Sequence, residues 1–168
     1  MSEVYLLGHP VAHSLSPDMH NAAFKALGLP HRYTTRDVGP EQLADVIDSL
    51  RREDALGANV TVPHKESALR LVDEVSDEAR AVGAVNTIAR RGSRLSGDNT
   101  DAYGFARAIE AVPAGATVLL LGAGGAARAC LLALLRRGHP VRIANRTRAR
   151  AKELARSIEA GGRRAEVV

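Results

Sequence analysis

One lysine in this chain stands where chemistry is expected. The run Asn59-Val60-Thr61-Val62-Pro63-His64-Lys65-Glu66 carries an apolar stretch into a proline turn, and Lys65 follows that turn at once. Elsewhere the sequence supplies natural partners for such an amine: Ser14 and Ser16, Asn86, Asp101, and a glycine-rich turn that begins at Gly122. Hydride delivery to a ketone builds negative charge on its oxygen, so a nearby donor must stabilise and protonate the alkoxide. Lys65 can do both. Asp101 can orient it or share the proton, and a lysine–carboxylate couple of this kind titrates as a pair. Ser, Thr and Asn recognise a polyol through directional donors and acceptors without adding charge. The combination points to an enzyme that moves a hydride and a proton on a small, hydroxylated molecule.

The glycine turn supplies the other half of that chemistry. Gly122-Ala123-Gly124-Gly125-Ala126-Ala127 fits GxGxx(G/A) with alanine third. In that pattern the first Gly makes the tight turn, the second admits a pyrophosphate to the backbone, and the small third residue lets helix and strand pack closely. The amides at the start of the following helix then face the phosphates. The pattern is weak alone, but here it follows a strand and opens a helix, the context it requires. At the end of the next strand an NAD site usually carries Asp or Glu for the ribose 2′-hydroxyl. This chain has Asn145-Arg146-Thr147-Arg148 instead. A 2′-phosphate takes planar, bidentate guanidinium donors, which Arg146 can supply with Arg148 or Arg150 in support. NADP is therefore expected rather than NAD.

The elements that must position these groups fall into two textures. In the first region, Val4–Gly8 reads as a strand, a Pro/Ser/His-rich loop runs to Pro17, and a helix over Asp18–Leu27 stops at Gly28 with Pro30 beyond. Tyr33–Val38 reads as a strand. Leu43, Val46, Ile47 and Leu50 give one apolar face of a helix over Pro40–Arg52. A strand over Ala58–Val62, short helices over Lys65–Leu71 and Asp77–Val82, and a hairpin of Ala84–Arg90 with Ser93–Asp98 turning at Gly92 follow. A helix over Asp101–Ala111 connects to a βαβ pattern: strand Thr117–Leu121, helix Gly124–Arg137, strand Val141–Asn145, helix Arg148–Glu159, and a third strand over Ala165–Val168.

Composition narrows the classes. The 168 residues, 45% hydrophobic and 25% charged, suit one generous globular domain or two small ones. Net charge is +4, but the arginines lie in dispersed pairs (51–52, 90–91, 136–137, 163–164) and aromatics make up 3% with no Trp. Neither a phosphate-tracking stripe nor a base-stacking platform is present, which argues against nucleic acid. The single cysteine, Cys130, sits in an apolar helical run and excludes an internal disulfide or a multi-cysteine zinc site. His9 and His13 are four apart, but Pro10 spoils the helical spacing a metal pair would need, so no metal is expected. No secretory signal and no membrane-length apolar stretch is evident, which makes the cytoplasm the default.

Each candidate also has a plain structural reading. Ser14 and Ser16 could cap the helix after Pro17. Asn59 and Asn86 could satisfy turn backbone. Lys65 could be an exposed first-turn residue, and Asp101 a helix N-terminal carboxylate held by the dipole.

From residue 4 onward the chain resembles the shikimate dehydrogenases. The resemblance is carried by Gly8-His-Pro-Val-Ala-His-Ser14-Leu-Ser16-Pro17, Asn59-Val-Thr61-Val-Pro-His-Lys65, Gly83-Ala-Val-Asn86-Thr87, Gly97-Asp-Asn99-Thr-Asp101-Ala-Tyr-Gly104-Phe, the glycine turn and Asn145-Arg-Thr147, in the family's order. It implies NADPH-linked reduction of 3-dehydroshikimate to shikimate, a step of aromatic amino-acid biosynthesis. It also implies that Ser14, Ser16, Thr61, Asn86 and Asp101 hold the substrate's carboxylate and hydroxyls, with Lys65 as acid/base. Gly122, Ala123, Gly124, Gly125 and Ala126, with Asn145, Arg146, Thr147, Arg148, Ala149 and Arg150, would bind the cofactor, and Asp77 would contribute near the nicotinamide.

The implied fold is α/β: a substrate domain over 1–100, a connecting helix over 101–113, and the first half of a Rossmann-type domain over 114–168. The family continues beyond this point, so the resemblance implies a chain short of the family's C-terminal part, with an apolar sheet edge at Ala165–Val168. A non-catalytic shikimate- or quinate-binding relative, and a related reductase for another small carbonyl compound, are the competing readings. The expected partner is a small molecule, and a homodimer stays open.

Overall fold

The computed structural model describes residues 2–52 and 54–168. In chain order the elements are β1 (Ser2–Gly8), α1 (Ser16–Ala26), β2 (His31–Asp37), a 3₁₀ turn (Pro40–Gln42), α2 (Leu43–Ser49), β3 (Ala55–Val60), α3 (Lys65–Ala68), β4 (Glu74–Val75), α4 (Asp77–Val82), β5 (Thr87–Arg91), β6 (Arg94–Asp98), α5 (Asp101–Ala108), β7 (Val118–Leu121), α6 (Gly125–Arg136), β8 (Val141–Ala144), α7 (Arg148–Ser157) and β9 (Glu166–Val167). They divide into two units, Met1–Ala79 with Val85–Asp98, and Arg80–Ala84 with Asn99–Val168.

The first unit is built on a mixed sheet of order β2-β1-β3-β5-β6-β4. Strand β1 runs parallel to both β2 and β3, while β5 is antiparallel to β3 and β6. Side chains alternate across a strand, and β1 uses both faces. Tyr5 and Leu7 join a core with Leu43, Ile47 and Leu50, the buried face of α2 and its cap. Leu6 packs on the other face with Tyr33, Val11 and Phe24 of α1. Each such aliphatic side chain contributes about 1.5–3 kcal/mol when fully buried, so the strand ends that carry the candidate residues are anchored from both sides.

Two sequence expectations are corrected here. The helix expected over Pro40–Arg52 is a 3₁₀ turn over Pro40–Gln42 followed by the shorter α2, which ends at Ser49. The strand expected to reach Val62 ends at Val60; Thr61 and Val62 belong to the turn, where the His64 amide donates to the Thr61 carbonyl at 2.9 Å. Strand β4, which pairs in parallel with β6 at Glu74↔Ser96 and Val75↔Gly97, is too short to leave a periodic signal.

The second unit is a βαβαβ arrangement with an all-parallel sheet of order β7-β8-β9. Leu131, Leu132, Leu134 and Leu135 of α6 pack with Val141 and Ile143 of β8 and with Ala151 and Leu154 of α7. The covered face of β7 presents Val118 and Leu120 to this core, whereas Leu119 and Leu121 are 56% and 74% exposed. An uncovered apolar face is thus found on β7 as well, while β9 is the end strand of the sheet and Val168 is 54% exposed. In β9, Val167 packs on the core and Glu166 pairs with Arg142 at 3.4 Å.

Candidate functional site

In the first unit the loops after β1 and β3 enclose a cavity of about 430 Å³ lined by Leu6, His9, Pro10, Val11, His13, Ser14, Ser16, Thr61 and Val62. Three of the substrate candidates, Ser14, Ser16 and Thr61, therefore meet in one concavity although 47 positions separate Ser14 from Thr61. The parallel register of β1 with β3, which reaches Leu7↔Val60, brings the two loops to the same end of the sheet. The Thr61 amide then donates to the Leu7 carbonyl at 2.8 Å.

The capping reading of the serines is not what the structure has. The N-cap of α1 is Leu15, with no side-chain cap bond. Ser14 Oγ instead accepts the Ser16 amide at 3.2 Å and donates to Ser16 Oγ at 3.2 Å. Both hydroxyls stay at the cavity wall, and the Ser16 proton is left for a ligand.

Gly8 fixes how near Thr61 can come. A Cβ on Gly8 would lie 2.4 Å from Thr61 Cγ2, 2.6 Å from Val11 Cγ1 and 3.0 Å from the Val62 carbonyl oxygen. Gly8→Ala is expected to lower stability by about 1–3 kcal/mol, read from the urea midpoint, and to weaken binding of any ligand held by Thr61.

Lys65 is the first residue of α3 and half-buried; its carbonyl accepts the Val85 amide at 2.8 Å. The preceding His64 is buried, and its Nε2–H donates to the Val38 carbonyl at 2.6 Å. That bond ties the turn before Lys65 to the end of β2. Asn86 is buried, with its Oδ1 accepting from Thr87 Oγ1 at 2.9 Å and its amide donating to the Asp98 carbonyl at 3.0 Å. Lys65 and Asn86 are not among the residues lining the cavity. Asp77 opens α4 and is exposed.

Sequence reasoning missed what holds Asn86 in place. Tyr33 Oη donates to Asn59 Oδ1 at 2.8 Å, and Asn59 Nδ2 reaches the Asn86 carbonyl and Thr87 Oγ1, each at 3.4 Å. Burial pushes the Tyr33 hydroxyl up from 10.0 to about 12. A folded-state value above the unfolded one adds stability that is complete below the unfolded value and lost as pH rises through the folded one. Wild-type stability is thus expected to fall between pH about 10 and about 12, and Tyr33→Phe to lose less over that interval. At neutral pH the same variant should cost about 1 kcal/mol; urea unfolding at both pH values checks the pair.

In the second unit Asp101 is the first residue of α5, behind Thr100 as N-cap. Its amide donates to Asn99 Oδ1 at 3.0 Å, while Asn99 Nδ2 donates to the Ala84 carbonyl at 2.9 Å. Buried Asn99 was missed as a positioning group. Its place two residues before a helix start, where Asn side chains bond local backbone, is the available signal.

The two candidate cofactor segments come together because β7 and β8 are parallel neighbours, with Leu121 opposite Ala144. Gly122 has φ 112, a conformation side chains resist, and its amide donates to the Ala144 carbonyl at 2.9 Å. Gly124 is the N-cap of α6, whose first turn has no acidic residue and no side-chain cap bond. A Cβ at Gly124 would meet nothing within 4 Å, so the turn is open to an approaching group. After β8, Asn145 Nδ2 donates to the Thr147 carbonyl at 2.8 Å, and Arg146, Thr147, Arg148, Ala149 and Arg150 are exposed. Ser14, Ser16 and Thr61 thus share a cavity in one unit and the cofactor candidates of 122–126 and 145–150 an anion-receptive strand–turn–helix in the other, while Lys65, Asp77, Asn86 and Asp101 lie outside both. That is the make-up of a protein with a small-molecule unit followed by a dinucleotide-type unit.

Comparison with known proteins gives the family. Residues 6–88 match the shikimate dehydrogenase substrate binding domain, and residues 105–166 match shikimate / quinate 5-dehydrogenase. The chain belongs to the shikimate dehydrogenase family. A shikimate dehydrogenase (NADP(+)) of Salinibacter ruber is 54% identical over 144 residues, which are 83% of this chain and 50% of that protein. The crystal structure of shikimate 5-dehydrogenase from Thermus thermophilus with NADP(H) and shikimate is 46% identical, with a TM-score of 0.84 over 95% of this chain and 62% of that one. The ligand-free 5-ketofructose reductase of a Gluconobacter strain is also similar, at 33% identity and TM-score 0.82 over 99% of this chain and 61% of that one. The chain thus spans between half and about three-fifths of the length of these relatives.

Proposed function

We propose that this chain binds shikimate in the cavity of the first unit and NADP on the second, and serves the reversible oxidation of shikimate to 3-dehydroshikimate in aromatic amino-acid biosynthesis. The observation that carries this reading is the meeting of Ser14, Ser16 and Thr61 in one cavity within the stretch that matches the family's substrate binding domain. Ser14 and Ser16 take the carboxylate, and Thr61, Asn86 and Asp101 take ring hydroxyls. The functional division is 1–100 for substrate, 101–113 as connection and 114–168 for cofactor.

NADP suits the residues of the second unit. The φ of Gly122 and the open space over Gly124 admit a pyrophosphate to the backbone, and the uncapped amides of α6 complement its charge. Gly122, Ala123, Gly124, Gly125 and Ala126 line that approach. Asn145 holds the following turn while Arg146, with Arg148 and Arg150, meets the 2′-phosphate; Thr147 and Ala149 flank them, and Asp77 serves the nicotinamide end. When bound, NADP supplies the hydride acceptor. As the carbinol C–H leaves as hydride and the C=O bond forms, Lys65 takes the hydroxyl proton, and it returns that proton in the reverse direction. Asp101 is the second group assigned to the acid/base work.

The protein works as a cytoplasmic enzyme with small-molecule partners, either alone or as a homodimer; among the described residues no helix is long and apolar enough to cross a membrane. Quinate is a second substrate candidate, as the family description names it. The likeness to a 5-ketofructose reductase favours one competing reading, a reductase for another small carbonyl compound. Thermal unfolding separates the two. Shikimate at about a hundred times its Kd is expected to add about 2.7 kcal/mol of stability, whereas stabilisation by 5-ketofructose and not by shikimate would select the competing reading.

A further inference from the structure

We infer that His9, held by Asp37, is a specificity group for a ligand carboxylate in the cavity of the first unit; the inference rests on the shikimate reading above. Among the described residues no Lys, Arg, Asp or Glu lines this cavity, so the imidazoles of His9 and His13 are the lining groups able to bring positive charge to an anionic ligand. Of the two, His9 is joined to a carboxylate: its Nδ1 lies 2.5 Å from Asp37 Oδ1. The backbone sets this pairing. Strands β1 and β2 run in parallel register to Gly8↔Asp37, and the Val38 amide donates to the Gly8 carbonyl at 3.0 Å. His9 and Asp37 therefore leave neighbouring strand ends side by side, and the His64 bond to the Val38 carbonyl steadies the same corner.

The chemistry follows from which nitrogen is used. With Nδ1–H donated to Asp37, the ring's remaining polar atom is Nε2, which has no hydrogen-bond partner among the described residues. When the ring is protonated, Asp37 balances its charge and Nε2–H is a charge-assisted donor suited to a carboxylate. When the ring is neutral, Nε2 offers a lone pair that a carboxylate avoids. In the state with Nε2–H the couple rewards an acid over its neutral ester, and it supplements the two serine hydroxyls, which cannot discriminate by charge. Asp37 acts through His9 as a positioning residue.

The test is calorimetric binding of shikimate and of methyl shikimate to the full chain and to His9→Ala and Asp37→Asn. Wild type is expected to prefer the acid, and each variant to lose about tenfold or more of that preference with little change in affinity for the ester. His9 and Asp37 are both half solvent-facing or more, at 58% and 50% side-chain exposure, so neither substitution empties the core. An unchanged preference in both variants would overturn the inference, as would equal weakening of acid and ester, the mark of a merely structural role. Failure of wild type to bind either ligand would instead overturn the shikimate reading, and the inference with it.

Discussion

Lys65→Ala is expected to lower the rate of shikimate oxidation by about 10²–10⁴-fold, the range for removal of a positioned general acid–base. Shikimate affinity should change far less, because the hydroxyls of Ser14, Ser16 and Thr61 remain at the cavity wall. The fold should survive, since the bond that joins the start of α3 to Val85 uses the Lys65 carbonyl and not its side chain. Lys65→Arg distinguishes proton transfer from simple charge. A guanidinium keeps the cation but does not give up its proton in proteins. Arginine should therefore fail to restore turnover, and a variant that regains wild-type kcat would remove Lys65 from the role of acid/base.

The second large effect concerns the choice of cofactor. Arg146 and Arg148 are exposed at the end of β8, and no carboxylate follows that strand to receive a ribose 2′-hydroxyl. Hydrogen bonds to charged groups contribute about 1.5–3 kcal/mol each. Replacing both arginines by alanine should weaken NADP about 10²-fold or more while leaving NAD nearly unchanged. The KM ratio of the two cofactors reads this directly. Equal loss for NADP and NAD would mean that the arginines support α7 or the turn and do not discriminate the phosphate.

Much of this arrangement was legible in the sequence because its signals are local. A glycine turn between an apolar strand and a helical run announced the second unit, and the spacing of Leu43, Ile47 and Leu50 announced α2. The turn from Thr61 to Lys65 was legible through Pro63, although the strand before it ends two residues earlier than its apolar run suggests. What escaped was the set of side chains that hold the candidates in place. Asp37 meets His9 across 28 positions, and Tyr33 meets Asn59 across 26. Strand order brings these partners together, and no short-range pattern encodes it. The two-residue β4 and the uncovered face of β7 were missed for a related reason: pairing and cover are tertiary properties, and a run of leucines reads as buried on both faces whether or not both are covered.

The central claim is that shikimate held by the first unit is oxidised at the expense of NADP with Lys65 as base. The most direct measurement is the appearance of reduced nicotinamide absorbance when the chain is mixed with shikimate and NADP, with Lys65→Ala and NAD run alongside. The account predicts turnover that saturates with shikimate, prefers NADP and collapses in Lys65→Ala. Turnover that persists without the Lys65 amine, or its absence in a wild-type chain that binds both ligands, would contradict it.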